Sequence, residues 1–248
     1  MKPAPFEYVV AGSWDEAVAA LDGDSRVLAG GQSLVPLMNQ RLVRPRRLVD
    51  ISGIPGLIER RRGALRIGAT VRQAALERST LIAGGWPLLR QAVRHVGHPA
   101  TRARGTIGGS VVHADPRAEL ICALIALDAR FTLSSGRAVH GPLQLGPGEL
   151  LTAIEVPRLQ PFAKSAFVAY ARTSGSFADA AVAVVLEPDR AADAVLGAGR
   201  AGEAEAAVRA GASATDAAAL AADLVDGDHH RALVAELTRR ALVEAGHA

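Results

Sequence analysis

The chain has 248 residues, 49% of them hydrophobic, enough for a sizeable core in one or two domains. Its formal charge is only +3 and its aromatic content 4%, which argues against the basic, aromatic-interleaved face of a nucleic-acid binder. A single cysteine, Cys122, rules out an internal disulfide and a self-contained four-cysteine iron–sulfur site. The opening residues, Met1 to Glu7, carry no signal-peptide apolar region. No apolar run approaches the ~18–20 residues of a membrane helix. These features predict no membrane span and a soluble, cytoplasmic protein.

Phe6 to Ala11 reads as a short strand. Ser13 and Glu16 have capping-box spacing and open a helix over Trp14–Leu21. Asp22 to Ser25 is a turn, and Arg26–Ala29 a strand that ends in Gly30-Gly31. The stretch Leu34–Leu42 is predicted helical after Pro36, proline suiting the first helical position. Arg41, Arg44, Arg46 and Arg47 form a basic cluster, read either as solvated surface or as a contact for an acidic partner. Leu48–Ile51 is the next strand, and Ser52 to Gly56 a loop at a subdomain boundary. Leu57–Ile67 reads as a hairpin turning at Arg61-Arg62-Gly63-Ala64.

Thr70 and Gln73 again have capping-box spacing, before a helix to about Arg78. Pro87–Val96 is a further helix. His95 and His98 lack a third nearby ligand, so they read as favourable residues at its C-terminal end rather than a metal pair. Thr106 to Gly109 is predicted to turn, and Ser110–His113 to be extended. Asp115-Pro116 has the form of an N-cap and first-position proline, opening a buried apolar helix to Leu127 that contains Cys122. Asp115 can therefore cap or contact a ligand. Strands are expected at Ala129–Leu133, Ala138–His140 and Leu150–Pro157, the last an edge strand because it ends in proline. After a linker at 158–164, strands at Ser165–Ala171 and Ala181–Leu186 precede three alanine-rich helices near Glu203–Ala210, Thr215–Val225 and His229–Ala245. The G-x-G-x-x-G match at Gly197–Gly202 lacks the strand–helix–strand context of a dinucleotide site and reads as a turn.

Two stretches carry the chemistry. Ala29-Gly30-Gly31-Gln32-Ser33-Leu34 and Arg104-Gly105-Thr106-Ile107-Gly108-Gly109-Ser110 each place paired glycines beside small hydroxyl residues. Cβ-free pairs let backbone N–H groups converge and a ligand come close, the arrangement that binds phosphates. Neither stretch holds a lysine; Lys2 and Lys164 are the only two in the chain. The expected diphosphate donors are therefore neutral: Gly30, Gly31, Gln32, Ser33, Thr106, Gly108, Gly109 and Ser110.

These stretches resemble the two glycine motifs of the FAD-binding subunit of the molybdenum hydroxylases. That group includes the medium subunit of aerobic carbon monoxide dehydrogenase and the flavin domain of xanthine dehydrogenase. The first motif covers Ala29 to Leu34 with Pro36, the second Arg104 to Pro116, and the resemblance runs essentially end to end. It implies an α+β fold: two α/β FAD-binding subdomains of PCMH type at 1–53 and 54–160, and a C-terminal sheet-and-helix domain of the carbon monoxide dehydrogenase flavoprotein type at 164–248. It implies noncovalent FAD bound through Ala29 to Ser33, Leu34, Thr106, Gly108, Gly109, Ser110, Asp115 and Glu119, the last matching a residue on the flavin's ribityl chain. It implies an oxidoreductase subunit passing electrons from a [2Fe–2S] small subunit through FAD to an acceptor. A molybdopterin large subunit completes a heterotrimer or its dimer. The chain departs from the family pattern at a shortened loop, 141–148, and at Ser176, where aspartate is usual. Alternatives are a stand-alone flavin oxidoreductase, with Ser110 as a conceivable proton donor, and a flavin-binding assembly factor without turnover.

Overall fold

The computed structural model describes residues 2–247. The first elements in chain order are β1 (Glu7–Val10), α1 (Trp14–Ala19), β2 (Ser25–Leu28), α2 (Leu34–Asn39), β3 (Arg47–Asp50), β4 (Ile58–Arg61) and β5 (Ala64–Gly68). Then come α3 (Gln73–Arg78), α4 (Thr80–Gly85), α5 (Pro87–His95), α6 (Pro99–Arg104), α7 (Ile107–His113) and α8 (Glu119–Ala126). The chain continues with β6 (Arg130–Leu133), β7 (Ala138–His140), β8 (Leu151–Pro157), β9 (Lys164–Tyr170), β10 (Ala180–Glu187), β11 (Arg190–Val195) and β12 (Gly199–Arg200). It ends in α9 (Gly202–Arg209), α10 (Ala214–Ala222) and α11 (Asp228–Glu244).

The residues fall into two compact units. One comprises Met1–Ala75, Pro99–His113 and Arg130–Glu155; the other Leu76–His98, Ala114–Ala129 and Val156–Ala248.

In the first unit β1, β3 and β2 form a parallel sheet in that order. The β1–α1–β2 segment is legible in local chemistry. Ser13 Oγ accepts the Glu16 N–H at 3.2 Å, and Glu16 Oε2 accepts the Gly12 N–H at 2.8 Å, so side chains satisfy helix-end donors. Ala17, buried on α1, packs with Ala11, Val49, Ile51, Ile54 and Leu150. The second sheet has the order β4-β5-β8-β6-β7. The expected hairpin is present, with Gly63 at a φ of 78° in its turn. β8 is an interior strand of this sheet, flanked by β5 and β6, not the edge strand its terminal proline predicts; Pro157 merely ends it.

In the second unit β12, β11, β10 and β9 form an antiparallel sheet. Val182, Val184 and Val195 share one face with the buried alanines of α10 and with Val234, Leu237 and Ala241 of α11. Small side chains let these helices approach the sheet closely, which is why an alanine-rich C-terminus still builds a core. β10 also packs against α8, where Cys122 is buried and its thiol lies 3.1 Å from the Ala194 carbonyl. Burial pushes that thiol's pKa well above the usual range, so it behaves as a small apolar group. His95, at the end of α5, packs its ring 5.4 Å from Phe167, and burial lowers its pKa. Gly197 takes a φ of 77° in the β11–β12 turn, and Gly199, which opens β12, a φ of 92°.

Candidate functional site

The first unit brings the two glycine stretches into contact. β2 ends at Leu28 and α2 begins at Leu34, with the first motif as the loop between them. Gly31 has a φ of 72°, the left-handed region that a residue without Cβ enters freely. Gly30 abuts the second motif. A Cβ on Gly30 would lie 2.7 Å from Gly105 Cα and 3.0 Å from the Arg104 carbonyl carbon, against the Arg104 oxygen. The loop's own atoms are partly spent: the Gly31 carbonyl accepts Val35 N–H at 3.1 Å, and Gln32 Nε2 donates to the Gly30 carbonyl at 3.3 Å. Among the described residues, the N–H groups of Gly30, Gly31, Gln32, Ser33 and Leu34 donate to no protein acceptor. Gln32 and Ser33 are exposed. Five consecutive unspent donors thus lie in one tight loop, the kind of backbone array from which anion-binding nests are made.

The second stretch is built differently from its expected turn and extended segment. Residues 107–113 form helix α7. Thr106, 2% exposed, caps it: Oγ1 accepts the Gly109 N–H at 3.1 Å. Gly108 donates its N–H to the Ala69 carbonyl at 2.9 Å, and Ser110 donates its own to the Thr106 carbonyl at 3.2 Å. The N–H groups of Gly108, Gly109 and Ser110 are therefore spent on the protein, which corrects the expectation that they offer donors to an anion. Gly108 serves packing: a Cβ there would lie 2.6 Å from Ala69 Cβ. Gly109 is helical rather than at positive φ, and its added Cβ would meet Thr106 Oγ1 at 2.9 Å. Among the described residues, the donors this stretch leaves unspent are the half-buried Ser110 hydroxyl and the Thr106 N–H.

Gln73 ties these pieces together, a role its spacing from Thr70 did not reveal. Its N–H donates to the Gly105 carbonyl at 2.9 Å, and its Nε2 to Ser110 Oγ at 2.8 Å. With the Gln73 N–H committed to Gly105, no capping box forms, and Thr70 Oγ1 is left buried without a partner. Arg72 Nη1 donates to the Arg104 carbonyl. The arginines near α2 are engaged locally: Arg44 Nε donates to the Arg41 carbonyl at 3.1 Å, and Arg47 pairs with Glu7 and Asp22.

Asp115 and Glu119 belong to the second unit. Asp115 does not cap α8, which starts at Glu119 after the uncapped Ala118. Its Oδ1 accepts the Arg117 N–H at 2.9 Å, and its carboxylate pairs with the Arg117 guanidinium at 3.0 Å, which lies 4.4 Å over the Phe177 ring. Glu119 is 2% exposed, and its Oε1 accepts the Ala178 N–H at 3.4 Å. Burial pushes its pKa up to about 7. The 171–179 loop is closed by the Arg172–Asp179 pair at 3.1 Å. There Ser176 Oγ donates to the Thr173 carbonyl at 2.7 Å.

Residues 4–159 match the family of the FAD binding domain in molybdopterin dehydrogenase. The chain belongs to this family. It is 41% identical to the 6-hydroxypseudooxynicotine dehydrogenase complex subunit alpha of Paenarthrobacter nicotinovorans, over 80% of this chain and 75% of that one. It is 32% identical to the nicotine 6-hydroxylase medium subunit of the same organism, over 99% of each. The structure superposes on reconstituted CO dehydrogenase from Oligotropha carboxidovorans with a TM-score of 0.92, covering 99% of each chain at 31% identity. The protein is thus an FAD-binding oxidoreductase of the molybdopterin dehydrogenase family, with the mixed α/β fold expected of it. The residues present suit the cofactor: an unspent run of N–H donors beside Cβ-free Gly30, with a hydroxyl at Ser110, matches a diphosphate. Among the described residues no helix is long and apolar enough to cross a membrane.

Proposed function

We propose that this chain is the FAD subunit of a molybdenum hydroxylase-type complex, taking electrons from a [2Fe–2S] small subunit and delivering them to an external acceptor. A molybdopterin large subunit would carry the substrate chemistry. The observation that carries the reading is the apposition of the two glycine stretches around an unspent donor loop. FAD, when bound, supplies the redox chemistry, accepting electrons singly or in pairs. The chain's own residues bind and orient. Gly30 to Leu34 offer backbone N–H groups to the diphosphate, and Ser110 adds a hydroxyl donor. Hydrogen bonds to a charged acceptor contribute about 1.5–3 kcal/mol each, so several replace a formal cation. Thr106 and Gln73 hold the second stretch in place rather than donate to the ligand. We assign the flavin-binding part to 1–53 and 54–160 and a separate C-terminal domain to 164–248.

The lone Cys122 supports a partner-held cluster, since it is buried and cannot by itself ligate iron and sulfur. Relatives named as medium or alpha subunits support the same division of labour. The test is anaerobic mixing of the purified, FAD-loaded chain with the reduced [2Fe–2S] subunit, following flavin absorbance. Bleaching that depends on the partner supports the reading. A chain that takes up no FAD, or whose FAD is never reduced through the partner, refutes it.

A further inference from the structure

We infer that Gln73 is a positioning residue of the cofactor cradle, aiming the Ser110 hydroxyl proton at the diphosphate. The inference rests on the reading that the cradle binds FAD and goes one step beyond it. Gln73 is 3% exposed and fixed at both ends, by its N–H on Gly105 and its Nε2 on Ser110 Oγ. A serine oxygen that accepts from an amide keeps its own proton to give away. Among the described residues that proton has no protein acceptor. Gln73 Oε1, by contrast, is buried with no partner, facing Gly105 where a Cβ would lie 2.6 Å from it. A buried carbonyl without a donor is rare and calls for a reason. The direction of the amide decides which of the two groups donates. With the amide turned the other way, the carbonyl would accept the Ser110 proton and remove a hydroxyl donor from a stretch whose Gly108, Gly109 and Ser110 N–H groups are already spent. Gly105 without Cβ leaves room for that oxygen, so the glycine of Arg104-Gly105-Thr106 serves the same arrangement.

The test uses the full apo-chain, titrated with FAD by flavin fluorescence, with thermal unfolding of the unliganded protein measured alongside. Ser110→Ala should weaken FAD binding about tenfold, the loss of one hydrogen bond to a charged acceptor. Gln73→Glu should weaken it about as much near neutral pH, because a carboxylate accepts the serine proton. That variant should recover affinity as pH falls and its carboxyl becomes a donor, over a range where the parent's affinity is flat. Neither Gln73→Glu nor the near-isosteric Gln73→Met should weaken binding further when Ser110 is already alanine. Gln73→Met keeps the test open should the buried carboxylate prevent folding. The inference is overturned if Ser110→Ala binds as tightly as the parent. It is equally overturned if the Gln73 variants lose the same affinity with and without the Ser110 hydroxyl, or if the Gln73→Glu loss is independent of pH. A parent chain that binds no FAD at all overturns the cofactor reading itself, a result distinct from these.

Discussion

Replacing Gly30 by alanine tests the apposition of the two stretches most directly. The added Cβ would fall 2.7 Å from Gly105 Cα and 3.0 Å from the Arg104 carbonyl carbon. Both are backbone atoms, so no side chain can swing aside. The Arg104–Gly105 peptide is also held, by Arg72 at its carbonyl and by the Gly105 carbonyl's bond from Gln73. Forcing a methyl into such a contact costs about 1–3 kcal/mol. If the strain is relieved by separating the loop from Gly105, FAD affinity should fall roughly 5- to 150-fold, at 1.4 kcal/mol per decade. If it is retained, the cost should appear as reduced stability of the apo-chain. Urea unfolding followed by tryptophan fluorescence and FAD titration together capture both outcomes. Gly23→Ala is the control, since nothing lies within 4 Å of its added Cβ. A Gly30→Ala chain that unfolds at the parent's urea concentration and binds FAD with the parent's affinity would show that the two stretches do not meet as described.

Three further outcomes are expected. Asp193 is 3% exposed with both carboxylate oxygens unpartnered, beside Glu205, and burial pushes its pKa up to about 7; burial does the same for Glu119. A raised carboxyl pKa means the folded chain binds protons more tightly than the unfolded one. The stability this confers is full below the unfolded values near 4 and is lost as pH rises to about 7. Asp193→Asn should flatten that decline and gain on the order of 2–4 kcal/mol at pH 8, read from urea midpoints across pH; an unchanged slope counts against it. Trp86→Phe should cost about 1–3 kcal/mol, because Nε1 donates to the half-buried Pro157 carbonyl at 2.7 Å and that bond would be lost; equal thermal midpoints would contradict this. Finally, FAD binding should depend only weakly on salt, and Arg41→Ala and Arg44→Ala should leave it nearly unchanged, since backbone donors carry the anion; a steep salt dependence in the titrations would implicate side-chain cations instead.

The sequence was most legible where local chemistry decides. Ser13 and Glu16 cap α1 as their spacing predicts, and Pro87 opens α5 as a first-position proline should. It was least legible where a distant residue claims a backbone group. Thr70 and Gln73 have the same capping-box spacing, yet the Gln73 N–H goes to Gly105, a partner no local pattern names. Helix α7 was hidden for the opposite reason. Two adjacent glycines disfavour a helix by roughly 1 kcal/mol each, and the pattern therefore read as a turn. The Thr106 cap and the packing of Gly108 on Ala69 override that preference. For β8, Pro157 pointed to an edge, but proline at a strand's last residue removes no interior ladder bond and so says nothing of its neighbours.

The two glycine pairs look alike in sequence and do different physical jobs. Gly30-Gly31 frees donors: one glycine admits the neighbouring backbone, the other takes the left-handed φ, and five N–H groups remain unspent. Gly108-Gly109 consumes donors: both N–H groups are bonded within the protein, and the missing Cβ atoms make room for Ala69 and Thr106. A cradle with donors on both sides would need both loops to leave polar groups unsatisfied before the cofactor arrives, at about 1–3 kcal/mol for each one buried. Placing them on the more exposed loop, with Gln32 and Ser33 open to water, avoids that cost in the apo-chain. The second stretch then serves as a firm wall against which the first is set, its Gly108, Gly109 and Ser110 N–H groups bonded within the protein and the Ser110 hydroxyl an adjustable donor.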